Sequence, residues 1–113
     1  MFRIIKVLNN NSILVLSNET KREYILMGSG IGFGKMPGQQ IESMKGAKVY
    51  SLVTRKKKQS ALKAVNSIDP VYLEISGKII DLAEEEFSKV NRDILLAMAD
   101  HIALAAKRAK ENM

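Results

Sequence analysis

The sequence contains no cysteine and no long hydrophobic run, and these absences exclude several classes of protein. Without cysteine the chain can hold no disulfide scaffold, thiolate metal site or cysteine nucleophile, and this composition suits a reducing cytoplasm. No apolar run approaches the roughly 18 residues that span a bilayer, and the first residues lack the apolar core of a signal peptide. We therefore expect a cytoplasmic protein that does not cross a membrane.

Charge is distributed unevenly along the 113 residues. Residues 1–58 contain eleven Lys or Arg against three acids, a net charge of +8, whereas residues 59–113 contain seven against nine, a net charge of −2. A basic half joined to a mildly acidic half is typical of two modules, the first of which binds a polyanion. The alternative is that Lys and Arg only keep a small domain soluble.

The basic half has the pattern of a small antiparallel sheet, in which β-branched and aromatic residues mark strands and clusters of Asn, Gly and Pro mark turns. Four strands are predicted at 2–8, 12–16, 22–27 and 48–53, with turns at 9–11, 17–20 and 36–39. Strict alternation places Phe2, Ile4, Lys6 and Leu8 on one face of the first strand. Because so small a sheet buries little surface, we expect this module, residues 1–54, to dimerise.

After a basic linker at 55–68, the apolar period changes from two to 3.6 residues, which predicts helices over 69–113 and an α+β fold class. Asp69 caps a helix that begins at Pro70 and extends to about 87, and Asn91 caps another that extends to about 110. The predicted apolar stripes are Val71, Ile75, Ile79 and Leu82 on the first helix, and Ile94, Met98, Ile102 and Ala105 on the second. Apolar flanks at Leu73, Ile80, Leu95 and Leu104 then stay uncovered, so the helices either self-associate or form a partial bundle.

Four glycines, at 28, 30, 32 and 34, alternate around Phe33. Glycine-rich turns that open a helix bind nucleotides, but a dinucleotide fingerprint would need glycine at Phe33 or at Lys35. No phosphate-binding Walker pattern is present, and Pro37 with Gly38 favours a turn where a helix would be required. The loop therefore indicates no nucleotide, and we expect no cofactor.

The same loop favours nucleic acid as a ligand. Glycines let a backbone approach a ligand closely, and an aromatic side chain between them offers a flat face on which a base can stack. Lys6 and Lys35 would add contacts to phosphates. The alternative is that Phe33 is an ordinary core aromatic and the glycines form a flexible loop.

Two motifs together resemble a known family. Residues 6–11, Lys-Val-Leu-Asn-Asn-Asn, and residues 27–38, Met-Gly-Ser-Gly-Ile-Gly-Phe-Gly-Lys-Met-Pro-Gly, are similar in order and spacing to the co-antiterminator RNA-binding domain of the BglG/SacY family of bacterial transcriptional antiterminators. Shorter stretches at 73–76, 81–84 and 99–102 resemble the start of that family's first phosphotransferase-system (PTS) regulation domain. The resemblance covers essentially the whole chain.

The resemblance implies a symmetric dimer of four-stranded antiparallel sheets. It also implies that the dimer binds an RNA hairpin, the antiterminator, in a nascent transcript and stabilises it against an overlapping terminator. The positions that it implies for RNA binding are Lys6, Asn11, Gly28 and Phe33, and with the other loop positions the candidate RNA-binding residues are Lys6, Asn11, Gly28, Ser29, Gly30, Phe33 and Lys35. Ser29 departs from the family pattern, because a basic residue is common there, and this departure affects affinity and sequence preference.

His101 is the single histidine, and it borders the predicted apolar face of the second helix. On this pattern alone it is a packed or solvated histidine. Asp100 points about 100 degrees away on the helix, so no hydrolytic triad is indicated and we expect no enzyme. The resemblance implies that His101 accepts a phosphoryl group, with the phosphocarrier protein and sugar-transport components of the PTS as partners. Because the predicted helices are fewer than such a domain contains, we expect this regulation to be incomplete here.

Two functions follow for the chain. The first is a sequence-selective RNA-binding transcriptional antiterminator that responds to histidine phosphorylation. The second is a phosphorylation-responsive protein-interaction module in which the β-sheet serves only as a dimerisation platform.

Overall fold

The computed structural model describes residues 1–42, 46–52, 61–87 and 89–112. The chain divides into two compact units, Met1–Leu52 and Val53–Met113. The first unit forms a β-sheet and the second is helical, so the predicted α+β class is confirmed. Within the described ranges, every helix is too short or too polar to cross a membrane.

The first unit contains five strands in its described residues. They are β1 (Phe2–Asn9), β2 (Ser12–Ser17), β3 (Glu23–Met27), β4 (Gln40–Ile41) and β5 (Lys48–Ser51), in the order β4-β1-β2-β3-β5 across one antiparallel sheet. The prediction of four strands missed β4, which pairs with Phe2 and Arg3. A strand of two residues is too short to show a hydrophobic period in the sequence. It can be recognised only from its pairing with β1.

The predicted turn at Met36–Gln39 delivers the chain to β4. The Gln39 N–H donates to the Met36 carbonyl at 3.2 Å, and Gly38 has a φ of 88°. Positive φ at the third residue is what a type II turn requires, so the predicted turn is confirmed. The Gly38 N–H then donates to the Ile4 carbonyl at 2.7 Å, which ties the turn to β1.

A bulge interrupts the alternation of β1. Ile4 and Lys6 lie opposite Val15 and Leu14, which are neighbours on β2, so Ile5 is an extra residue. Neighbouring residues of a strand point to opposite faces, and Ile4 and Lys6 therefore do so too. The prediction that both lie on one face is wrong, because alternation fails wherever one residue is inserted.

The core of the first unit lies on one face of this sheet. Its buried side chains are Ile4, Ile13, Val15, Leu26, Ile31 and Ile41. The opposite face is also apolar at its centre, where Leu14, Ile25 and Tyr50 lie opposite one another on adjacent strands and are at most 1% exposed. Ile31 belongs to the glycine loop, so the core holds that loop to the sheet.

The described helices of the second unit are α1 (Ala61–Asn66), α2 (Pro70–Phe87) and α3 (Leu95–Glu111), the last preceded by a 3-10 turn at Arg92–Ile94. The Asp69 carboxylate accepts the Val71 N–H at 3.0 Å, and the Asn91 side-chain oxygen accepts the Asp93 N–H at 2.9 Å. The predicted cap of α2 is therefore confirmed. Asn91 instead caps the 3-10 turn that leads into α3, and α3 itself has no side-chain cap at Ile94. α1 lies within the range predicted as a linker, whereas the basic run at 54–59 lies outside the described residues.

The predicted apolar stripe of α2 is wrong, and the one predicted on α3 is only partly buried. The buried residues are Leu73, Ser76, Gly77 and Ile80 on α2, and Leu95, Leu96 and Ala99 on α3. The stripe predicted on α2 is instead exposed, from 39% at Ile75 to 61% at Leu82. On α3, Met98 and Ile102 are half-buried, whereas Ile94 is 37% exposed and Ala105 is exposed. Of the flanks predicted to stay uncovered, only Leu104 does; that prediction is wrong for Leu73, Ile80 and Leu95, which are fully buried.

Small side chains explain which face of α2 is buried. α2 and α3 pack against each other, and Ser76 and Gly77 take little space on the buried side of α2. Small residues let two helix backbones approach closely, which favours this face over a bulkier one. The Ser76 hydroxyl donates to the Tyr72 carbonyl at 2.8 Å, so its burial leaves no unpaired hydroxyl.

Candidate nucleic-acid interface

The asparagine turn between β1 and β2 holds the glycine loop through alternate backbone amides. The Gly28 N–H donates to the Asn11 carbonyl at 3.0 Å, and the Gly32 N–H donates to the Asn10 carbonyl at 2.8 Å. Between them, the Gly30 N–H donates to the Asn11 side-chain oxygen at 3.0 Å. Three hydrogen bonds thus join the turn and the loop into one surface, and the loop is ordered by them.

The turn is itself held by Asn9. Its side-chain oxygen accepts the Asn11 N–H at 2.9 Å and the Ser12 hydroxyl at 2.8 Å. Ser12 is fully buried, so this network connects the exposed turn to the interior of the unit. Asn9 was recognised in the sequence only as part of a turn. An asparagine two residues before a turn amide is the pattern of an Asx-turn and signals this role.

Ile31 and Phe33 take opposite roles in the loop. Ile31 is 2% exposed and packs in the core, whereas Phe33 is 74% exposed. The Phe33 N–H donates to the Gly30 carbonyl at 3.1 Å, which fixes the backbone that carries the ring. The alternative interpretation, in which Phe33 is an ordinary core aromatic, is therefore wrong. The ring of Phe33 is accessible to a ligand.

The remaining loop positions present polar groups to solvent. Ser29 and Gly30 are exposed, whereas Gly28 at the end of β3 is half-buried. Lys35, directly after the last loop glycine, is half-buried, and its N–H donates to the Gly32 carbonyl at 3.2 Å. Lys6 is half-buried on β1, opposite Leu14. The structure thus brings Asn11, Gly28, Ser29, Gly30 and Phe33 together, with Lys6 on a strand that leads to the turn.

His101 belongs to the other unit and lies exposed on α3, beside the exposed Asp100. An exposed imidazole is accessible to a protein that transfers a group to it. Across the ranges that the structure describes, no group of three His, Asp or Glu side chains is arranged to hold a metal ion.

A comparison with known protein families matches the part of the chain that contains this surface. A family model described as the CAT RNA binding domain matches residues 2–59, which include both the asparagine turn and the glycine loop. The chain belongs to this family. The predicted membership in a family of RNA-binding antiterminators is therefore confirmed. The individual RNA-binding residues stay predictions.

Individual relatives agree with the CAT assignment. The chain is 36% identical over 110 residues to the GlcA/glcB genes antiterminator of Staphylococcus carnosus, and 30% identical over 112 residues to the transcription antiterminator LicT of Bacillus subtilis. These alignments cover 95% and 98% of this chain but only 38% and 40% of the relatives. The crystal structure of the CAT-PRDI part of GlcT superposes with a TM-score of 0.68 at 32% identity, covering 99% of this chain and 67% of that one.

Proposed function

We propose that this chain binds an RNA hairpin through the asparagine turn and the glycine loop, and that it acts as a transcription antiterminator. The observation that carries the proposal is Phe33, an exposed aromatic ring on a loop that is fixed by hydrogen bonds to the turn. Membership of the CAT family and the names of its relatives support the same function.

Each residue of the surface has a role that its chemistry suits. Phe33 stacks on an unpaired base, the commonest way in which proteins read looped-out RNA. The exposed Asn11 amide donates to a base or sugar, and the backbone at Gly28, Ser29 and Gly30 approaches the RNA closely. Lys6 and Lys35 neutralise phosphates.

The ligand that suits this surface is a hairpin with internal loops, because unpaired bases can leave the helix and stack on Phe33. Binding stabilises the hairpin against a competing terminator structure in the nascent transcript. This action requires only that the protein bind and fit the hairpin, so the chain regulates transcription without catalysing a reaction. It does so in the cytoplasm, where transcripts are made.

A selection experiment tests the RNA-binding proposal. RNA hairpins with randomised internal loops are incubated with the full chain, and the retained sequences are compared with a fully paired stem of equal length. We expect one loop sequence to be enriched and to bind well above the paired stem. Enrichment of no hairpin, or equal binding of the paired stem, would overturn the proposal and favour the protein-interaction alternative.

Transcription through a template that carries the selected hairpin ahead of an overlapping terminator tests antitermination itself. Read-through should rise with protein concentration, and it should stay at the basal level on a template whose loop bases are replaced. Binding without a rise in read-through would leave an RNA-binding protein that is not an antiterminator.

We further propose a homodimer, with residues 1–54 as the RNA-binding module and residues 69–113 as helices of a PTS regulation domain. A sheet unit of this size gains stability from pairing with a second copy. Sedimentation at several protein concentrations should give twice the mass of one chain, and a monomer at all concentrations, with and without RNA, would refute the dimer.

His101 is the proposed phosphorylation site of the helical part. In this step the phosphorus–nitrogen bond of a phosphohistidine donor protein breaks, and a new one forms at a ring nitrogen of His101. The added negative charge would act on a helical interface. Incubation with a phosphorylated phosphocarrier protein, followed by intact-mass measurement, should show one added phosphoryl group in the parent chain and none in His101→Ala. Equal labelling of both would place the site elsewhere.

A further inference from the structure

One cross-strand row connects the asparagine turn with a lysine that is distant in sequence. Asn9 lies opposite Ser12, Ser12 lies opposite Met27, and Met27 lies opposite Lys48. Directly opposed residues share a face of the sheet, so this row runs across β1, β2, β3 and β5 on one face. Met27 is followed by Gly28, and Lys48 therefore stands beside the first residue of the glycine loop.

A second observation fixes this proximity independently of the strand register. Gly28 lies against Ala47, because a methyl group added at Gly28 would be 3.7 Å from the Ala47 Cα. Lys48 is exposed, and it forms no ion pair with a carboxylate of the described residues. Within the described residues its ammonium group therefore has no carboxylate partner, and its side chain starts from the strand position next to Ala47.

The Gly28 end of the glycine loop has no cation of its own. Residues 28–34 contain no charged side chain, and Lys35, which can neutralise a phosphate, follows at the other end of the loop. The neighbouring row on the same face contains Lys6, Leu14, Ile25 and Tyr50, which places Lys6 on β1. β1 and β5 are three strand spacings apart, about 14 Å, so Lys6 and Lys48 are well separated on this face, which is opposite to the core face against which Ile31 packs.

We propose that Lys48 binds an RNA backbone phosphate at the Gly28 edge of the glycine loop. This inference rests on the RNA-binding function proposed above and adds a residue from β5 to the interface. Lys48 and Lys6 contact different phosphates, which fixes how the RNA lies across the end of the sheet while Phe33 stacks on a base.

The test measures how the affinity of the full chain for the selected hairpin depends on salt. Each phosphate contact contributes a slope of roughly 0.7 to 0.9 to the fall of log K with log salt concentration. Lys48→Gln should lower that slope by about one contact and weaken binding to every hairpin sequence alike. Lys48→Arg should keep the parent slope, and circular dichroism checks that each variant is folded.

The matched control is Lys21→Gln. Lys21 is exposed in the turn between β2 and β3, at the end of β2 opposite to the asparagine turn, and the substitution removes the same charge. It should keep the parent slope. Adding Ser29→Lys to Lys48→Gln should restore the slope, because Ser29 is exposed next to Gly28.

The outcomes separate the two proposals. If the parent chain binds and Lys48→Gln shows the same salt slope as the parent, the Lys48 contact is refuted while RNA binding stands. If Lys21→Gln lowers the slope as much as Lys48→Gln, the effect is net charge alone and the contact is again refuted. If the parent enriches no hairpin, the proposed function fails and the Lys48 contact fails with it.

Discussion

The side-chain oxygen of Asn11 accepts the backbone N–H of Gly30 at 3.0 Å, across 19 positions of sequence. Because the N–H can only donate, the bond determines which end of the Asn11 amide faces the loop. The amide nitrogen then points away from this bond and makes no hydrogen bond within the described residues. Asn11 therefore holds the loop with one end of its amide, and the other end is the donor that we propose for RNA.

Two substitutions separate these roles of Asn11. Asn11→Ala should lower the free energy of unfolding by about 1 kcal/mol and speed hydrogen exchange at the Gly30 amide, because the accepted bond is lost. Asn11→Asp keeps an acceptor and should leave exchange at Gly30 unchanged, yet weaken RNA binding at least tenfold, since a negative charge replaces the donor. Exchange measured by NMR and affinity measured by filter retention check both. Parent-like affinity of Asn11→Asp would show that RNA does not use the amide nitrogen.

Phe33→Ala should weaken hairpin binding by roughly 1–3 kcal/mol, the contribution of one stacked base, without changing stability. Phe33→Tyr keeps a ring and should bind nearly as the parent does. Phe87→Ala is the control, because Phe87 is 77% exposed, close to the 74% of Phe33, but lies at the end of α2. Titration calorimetry gives the affinities. Equal affinity of Phe33→Ala and Phe87→Ala would contradict stacking on Phe33.

The sheet and the helix starts could be predicted because their signals are local. Asn10 and Asn11 make a turn, Pro37 with Gly38 makes another, and Asp69 and Asn91 cap helices through hydrogen bonds within two residues. Each of these features depends on the conformational preference of one or two residues and not on the rest of the chain. Such signals can be recognised in the sequence without knowledge of the tertiary contacts.

The features that could not be predicted from the sequence depend on contacts with other strands or helices of the same chain. The bulge at Ile5 and the strand β4 exist only through their pairing with other strands. The buried face of α2 was predicted wrongly because the helix carries two apolar faces, and the packing of α3 decides between them. In the candidate interface, Phe33 and Asn11 belong to sequence motifs, whereas the position of Lys48 opposite Met27 follows only from the strand register.

The neighbours Ile79 and Ile80 test which face of α2 is buried. Ile80 is fully buried and Ile79 is 42% exposed. Ile80→Ala should lower the free energy of unfolding by about 2–4 kcal/mol, through lost burial and the cavity that remains, whereas Ile79→Ala should cost under about 1 kcal/mol. Urea unfolding followed by far-UV circular dichroism measures both. Equal costs, or a larger cost at Ile79, would restore the stripe predicted from sequence.

Arg92 joins the start of α3 to α2 through two carboxylates. Its guanidinium nitrogens lie 2.6 Å from a Glu84 oxygen and 2.8 Å from an Asp81 oxygen, with all three side chains at most 30% exposed. Arg92→Gln should lower the free energy of unfolding by about 1–2 kcal/mol, and the loss should shrink at high salt. Arg108→Gln, an exposed position near the end of α3, should cost only a few tenths of that amount. Equal urea midpoints for both variants would show that the Arg92 pairs do not stabilise the fold.

Gly28 and Gly30 should respond differently to alanine. Gly30 has a φ of 72°, so Gly30→Ala should lower the free energy of unfolding by about 1–2 kcal/mol through backbone strain, although no atom lies within 4 Å of the added methyl group. At Gly28 the methyl group would make an ordinary contact of 3.7 Å with the Ala47 Cα, so stability should change by under about 0.5 kcal/mol. Gly28→Ala should also leave hairpin binding within about twofold of the parent, because the added methyl group is directed at Ala47 and Ile31. Urea unfolding and filter retention on both variants check this contrast, and a tenfold loss of affinity in the folded Gly28→Ala variant would show that the RNA contacts the Gly28 Cα directly.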